Sequence, residues 1–145
     1  MKLPKKLIRI FVTLAMLSSS RFLLLRTLAT KAPKTPAIKI KEGADFNFDN
    51  SVSDRIAVRE ILGDLKLPVL IDATANFVVS NEGMEHAASE QGNHNRKAVA
   101  YYTSSIASKL RLKVFISAKK PSVPSQIFNT EREAIAWLSS VCNQQ

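Results

Sequence analysis

Three times in succession after residue 66, a short apolar run of strand length is followed by a stretch of helical period. That alternation leaves the chain few folds. "PVLIDA" (68–73) is nearly all apolar, as a strand covered on both faces must be. "NFVVS" (76–80) then leads into a helix that Gly92 is expected to close. "KAVAYYT" (97–103) is the next apolar strand, and a helix follows it to about Ser117. "KKPSVPSQIFN" (119–129) supplies a turn and a last short strand, and "TEREAIAWLSSV" (130–141) a final helix. Such alternation calls for parallel strands joined by helical crossovers. The strands are short, so the sheet is small.

Local signals sharpen the element ends. In "AIKIKEGADFNFDN" (37–50), apolar and polar residues alternate through Ala37–Lys41 and through Phe46-Asn47-Phe48, which predicts one or two short strands joined near Gly43. Ser51 with Asp54 three residues on has capping-box spacing, and Val58, Ile61, Leu62 and Leu65 make one helical face that Pro68 would end. Thr103 or Ser104 is expected to cap the third helix, in which Ile106, Leu110 and Val114 recur four apart. Thr130 and Glu133 form a capping box, with Ala134, Trp137, Leu138 and Val141 as the buried stripe.

At 145 residues with 46% hydrophobic residues, the chain suits one domain of ordinary size. Its net charge of +9 is misleading as a guide to partners. Residues 1–41 carry ten Lys or Arg and no acid, whereas residues 42–145 carry eleven bases against twelve acids. The basic excess belongs to the start of the chain, and a nucleic-acid-binding domain is not expected. We divide the chain into a basic leader and linker, 1–36, and a folded domain, 37–145. The leader's longest uncharged run, Ile10 to Ser20, is eleven residues, short of the roughly 20 a membrane span needs. Secretory signal, organellar presequence, basic helix on an anionic membrane and a start codon placed too early are its open readings. The single cysteine, Cys142, excludes an internal disulfide and suits a reducing compartment.

"LPVLIDATANFVVSNEGMEHAA", "RKAVAYYTSSIASKL" and "KKPSVPSQIFNTEREAIAWL" together resemble the small bacterial STAS/SEC14-like domains of the SpoIIAA-like fold, over about residues 45–140. The resemblance implies an α/β fold: a mixed sheet with parallel central strands and about four packing helices. It implies no established chemistry. In better-known STAS relatives the strand-to-helix turn carries Asp-Ser-Ser-Gly, and phosphorylation of a serine there controls binding to a partner protein. Placing Asp72 on the strand-end aspartate puts Gly83 on the motif glycine, and the preceding positions fall on Ser80, Asn81 and Glu82. Neither position expected to be serine is serine.

The candidate regulatory or interaction residues are Ser80, Asn81, Asp72, Lys109, Arg111 and Lys113. Ser80 reads as a helix N-cap, with Val79 and Met84 at hydrophobic-staple spacing, or as a phosphorylated or partner-contacting serine. Phosphate suits a helix N-terminus, but adjacent Glu82 would repel it. Asp72 sits where open α/β sheets place their sites, and equally suits a turn. His86 and His94 match no metal spacing, Ser104-Ser105 lack a nucleophile-elbow context, and no phosphate-binding glycine loop occurs. Residues 42–90 carry ten acids and three bases, while residues 91–130 carry seven bases and no acid. Lys109 and Lys113 share a face of a helix that is apolar around much of its circumference. That pattern fits deep burial with snorkelling bases or an interaction surface.

These features lead us to expect no catalytic, cofactor or metal site, and a cytoplasmic domain unless the leader exports or anchors it. The expected function is a non-enzymatic STAS-like interaction or regulatory module. It would bind an unidentified protein partner, or itself, through the helices starting near Ser80 and Ser104. The alternative is a small-ligand or lipid carrier, which needs a sizeable cavity beside Ile106–Phe115. An enzyme of unknown class ranks third and would need Asp72, Ser80 or His94 brought together.

Overall fold

A computed structural model of the chain describes residues 23–27 and 36–144. In chain order the elements are β1 (Leu23–Thr27), β2 (Pro36–Ile40), β3 (Ala44–Phe46), α1 (Phe48–Leu62), β4 (Leu67–Asp72), β5 (Phe77–Val79), α2 (Asn81–Ala88), β6 (Arg96–Tyr102), α3 (Ile106–Lys119), β7 (Ser125–Phe128) and α4 (Glu131–Asn143). The main sheet has the order β1-β2-β4-β6-β7, and β3 and β5 form a separate parallel pair. β2, β4, β6 and β7 run parallel, with β1 antiparallel on the edge. This is the expected mixed sheet with parallel central strands. β1 falls within residues read from sequence as leader; the targeting, membrane-contact and start-codon readings of the rest of that segment lie outside the described residues. No helix among the described residues is long and apolar enough to cross a membrane.

From β2 onward the chain steps across the sheet in one direction, so crossovers of a single hand deliver α1, α2 and α3 to one face. Among the described residues, only α4, after the last strand, covers the other. The two faces differ in side-chain size. Ala37, Ala98 and Ala100 with Leu70 meet Ala134 and Leu138 of α4, and these small side chains let that helix lie close. On the opposite face Ile38, Ile40, Val69, Ile71, Val99 and Tyr101 meet Phe77, Ala88, Leu112 and Phe115.

Several element ends differ from the sequence reading. The first helix starts at Phe48, because the Asn47 side chain accepts the Asn50 N–H at 2.9 Å; Ser51 is therefore inside the helix and not its cap. Gly63 ends that helix with φ 58°, a conformation glycine takes without strain, and Pro68 lies inside β4. Pro68 is tolerated because it sits at a break in register, where the lost N–H is not needed. α2 ends at Ala88 and not at Gly92, which packs on the His86 carbonyl. α3 is capped by Ser105, whose side chain accepts the Ser108 N–H, while Thr103 accepts the Ser105 N–H. Thr130 and Glu133 form both bonds of the expected capping box.

Candidate functional site

The helical face of the sheet carries a cavity of about 570 Å³. That volume lies within the usual range for small-molecule sites. Its floor is Ile38, Ile40, Ile71 and Tyr101 of the sheet; its walls are Phe46 and Phe77, Met84 and Ala87 of α2, and Leu112 and Phe115 of α3. The cavity follows from topology. Three helices and the β3–β5 pair lie over one sheet face, and their side chains together with those of the sheet enclose the cavity. Aromatic pairs stiffen the walls: Phe46 meets Phe77 edge-on at 6.0 Å, and Tyr101 meets Phe115 at 6.2 Å.

One part of the lining is polar. Ser51, Asp54 and Arg55 lie at i, i+3 and i+4 on α1, so one helix face presents all three. Arg96 joins them from the start of β6, and a β-bulge explains how. The register pairs Leu67 with Arg96 but Pro68 with Ala98, leaving Lys97 as an extra residue. By strict alternation Arg96 would share the face of Ala98 and Ala100 under α4. The bulge turns it to the cavity instead.

The electrostatics of this group are strained. Arg96 is 9% exposed, and its Nε is buried with no hydrogen-bond partner among the described residues. Among the described residues, no carboxylate lies within ion-pair distance of either arginine there. Burial and the neighbouring Arg96 push the Arg55 guanidinium down to about 9, against the weaker support of Asp54 and Tyr101. Burial likewise lowers Arg96 and raises Asp54 and Tyr101. Behind the group, Ser51 Oγ and His86 Nδ1 are 2.7 Å apart, tying α1 to α2. Phe48 packs edge-on to the His86 ring at 5.6 Å. Burial first, then Arg55 and Arg96, hold His86 below its ordinary value and favour the neutral ring.

Of the residues singled out from sequence, only Arg111 reaches this cavity, at its outer side. It donates from Nη1 to the Phe77 carbonyl at 2.7 Å and lies 6.0 Å from that ring's centre. Ser80 caps α2, accepting the Gly83 N–H at 3.0 Å. Asn81 bridges α2 to α3: its Nδ2 donates to Glu85 at 2.9 Å, and its Oδ1 accepts from Lys119 at 2.7 Å. Asp72 closes a turn after β4, accepting from the Thr74 N–H and hydroxyl through one oxygen. Lys109 and Lys113 line a different, shallower depression of about 320 Å³ beside β7, where Lys109 donates to Asn129. Gly83 has a structural cause: a Cβ there would stand 2.1 Å from the Phe46 carbonyl oxygen. The sequence reading missed Arg55, Arg96 and Tyr101 as a group. The one local hint was an arginine set directly before an apolar strand.

The fold defines the class: a SpoIIAA-like α/β domain. A solved structure with a SpoIIAA-like fold, from the DUF3478 family of Shewanella loihica PV-4, superposes with a TM-score of 0.55 at 16% identity, covering 81% of this chain and 94% of that one. The chain itself belongs to the family described as "Domain of unknown function (DUF7793)", whose model matches residues 37–142. No curated protein matches it in sequence.

Proposed function

We propose that this domain is a non-enzymatic binding module that holds a small apolar ligand in the cavity between its sheet and α1–α3. The observation that carries the reading is the cavity itself, about 570 Å³ and walled chiefly by Ile, Phe, Leu and Met side chains. Apolar pockets with a few converging polar groups are the usual form of small-molecule sites. Nile red, a neutral apolar dye, tests it. Its fluorescence should rise on binding the full chain, and Ala87→Trp, which fills the cavity, should abolish the rise. A wild-type protein that leaves the dye dark, or an Ala87→Trp variant that binds it as well, overturns the reading.

A second reading, a regulatory module acting through a protein partner or a second copy, is favoured by the outer face of α3. Ile106 is 76% exposed, and Leu110 and Val114 are each 58% exposed. Leu110 and Val114 also line the cavity rim, so an occupant would alter the same helix that a partner would touch. Light scattering on the full chain should then show self-association that Leu110→Lys with Val114→Lys removes; a monomer at every concentration argues against self-association. We read the Ser51–His86 contact as a tie between helices and not as a nucleophile with its base. No group of three or more His, Cys, Asp or Glu able to hold a metal occurs among the described residues. Hydrolysis of p-nitrophenyl butyrate should be no faster with the wild type than with Ser51→Ala.

A further inference from the structure

We infer that the cavity's ligand is a single-chain amphiphile with an acidic head, its oxyanion seated on Arg55 and Arg96 and its tail along Phe77, Leu112 and Phe115. The inference rests on the ligand-binding reading above and adds the chemistry of the ligand. Its starting point is the uncompensated charge. Besides Arg111 at the outer side, two guanidinium groups, Arg55 and Arg96, line one apolar cavity with a single nearby acid, Asp54, and among the described residues no carboxylate lies within ion-pair distance of either. Among the described residues the buried Nε of Arg96 has no partner at all. A buried charge is costly unless it is paired and hydrogen-bonded, and an unsatisfied buried donor in a native fold calls for an explanation.

The bulge at Lys97 strengthens the case. Regular alternation would send Arg96 to the α4 face; the extra residue aims it into the cavity, a role bulges commonly have beside functional sites. Arginine also fits the task, because its planar fork matches carboxylate and phosphate oxygens two at a time. Burial and the adjacent Arg96 charge disfavour the charged form of Arg55, and an anion seated between the two guanidinium groups would offset both. A cationic ligand would be repelled here. A neutral apolar ligand would fill the cavity and leave Arg96 Nε unsatisfied. An acid head with an apolar tail satisfies both parts of the lining.

The test uses the full chain and three probes of equal tail length: dodecanoate, dodecyl phosphate and 1-dodecanol, titrated by calorimetry at pH 7.5. At least one of the two acids should bind about tenfold to a hundredfold more tightly than the alcohol, the range expected for charge-assisted hydrogen bonds. The tighter of the two identifies the head as carboxylate or phosphate. In Arg96→Met and Arg55→Met the preference should shrink while dodecanol still binds, and retained dodecanol binding reports that the cavity is intact. Equal binding of acids and alcohol to the wild type overturns the inference but leaves the ligand-binding reading standing. Absence of binding by all three overturns both. An acid preference that survives both arginine substitutions overturns the placement of the head. If either variant fails to fold, carboxyl-labelled dodecanoate on the wild type decides: its bound carboxyl should titrate at lower pH than the free acid, and an unchanged or raised value counts against the arginine seat.

Discussion

Ser80 meets the expectation of a cap, and its surroundings say how much the cap matters. Its hydroxyl oxygen accepts the Gly83 N–H at the start of α2, so Ser80→Ala should lower stability by about 1 kcal/mol in urea unfolding. No measurable loss would show that the cap is redundant. Phosphorylation of Ser80 remains a proposal that intact-mass measurement on protein from its own cells would test. Gly83 is expected to be less tolerant than Ser80. Gly83→Ala places a Cβ against backbone, the Phe46 carbonyl, which cannot swing away as a side chain could. A larger drop in urea midpoint than for Ser80→Ala should follow. His86 gives a pH dependence with a definite sign. Its folded-state value is held below 6.5, so the unfolded chain binds the proton more readily. Stability from this residue is complete above about pH 6.5 and declines as pH falls toward the depressed folded value. His86→Gln should flatten that acid-side decline in Tm between pH 7.5 and 5, and an unaltered slope would assign it to other groups.

At the scale of elements, α3 is the instructive case. Ile106, Leu110 and Val114 recur four apart and look like a buried stripe, yet they face outward; Ser108, Leu112 and Phe115 face the core. Both sets have helical spacing, so period alone does not choose between them. The choice comes from where β6 and β7 set the helix on the sheet. Leu112→Ala should therefore cost roughly 2–5 kcal/mol, whereas Leu110→Ala should stay within about 0.5 kcal/mol. Similar losses for the two would mean the faces are wrongly assigned. The caps of α2 and α4 were legible because a cap is a contact between residues three apart. The start of α1 was not, since Asn47 and Ser51 are both good caps and the earlier one prevails. That shift moves Ser51 into the helix, where it meets His86 and lines the cavity.

For the whole molecule, the sheet separates a close-packed side from a hollow one. Ala98, Ala100 and Leu138 under α4 are all 1% exposed or less, while the opposite face holds the cavity. Binding of an acidic amphiphile should thus slow amide hydrogen exchange in α1, α2 and α3 and leave α4 nearly unchanged. Equal protection on both faces would mean general stabilisation and not occupancy of this cavity. The alternation of apolar strands and capped helices was enough to establish an α/β domain with a parallel sheet, because strand period, helix period and capping are all written in neighbouring residues. The sequence likewise confined the basic excess to the first 41 residues and ruled out an internal disulfide. Tertiary structure alone decided where a site could be. Arg55 and Arg96 are far apart in the chain, and no local spacing relates them. They line one cavity because successive crossovers place α1 over the same face that a single extra residue in β6 makes Arg96 point to.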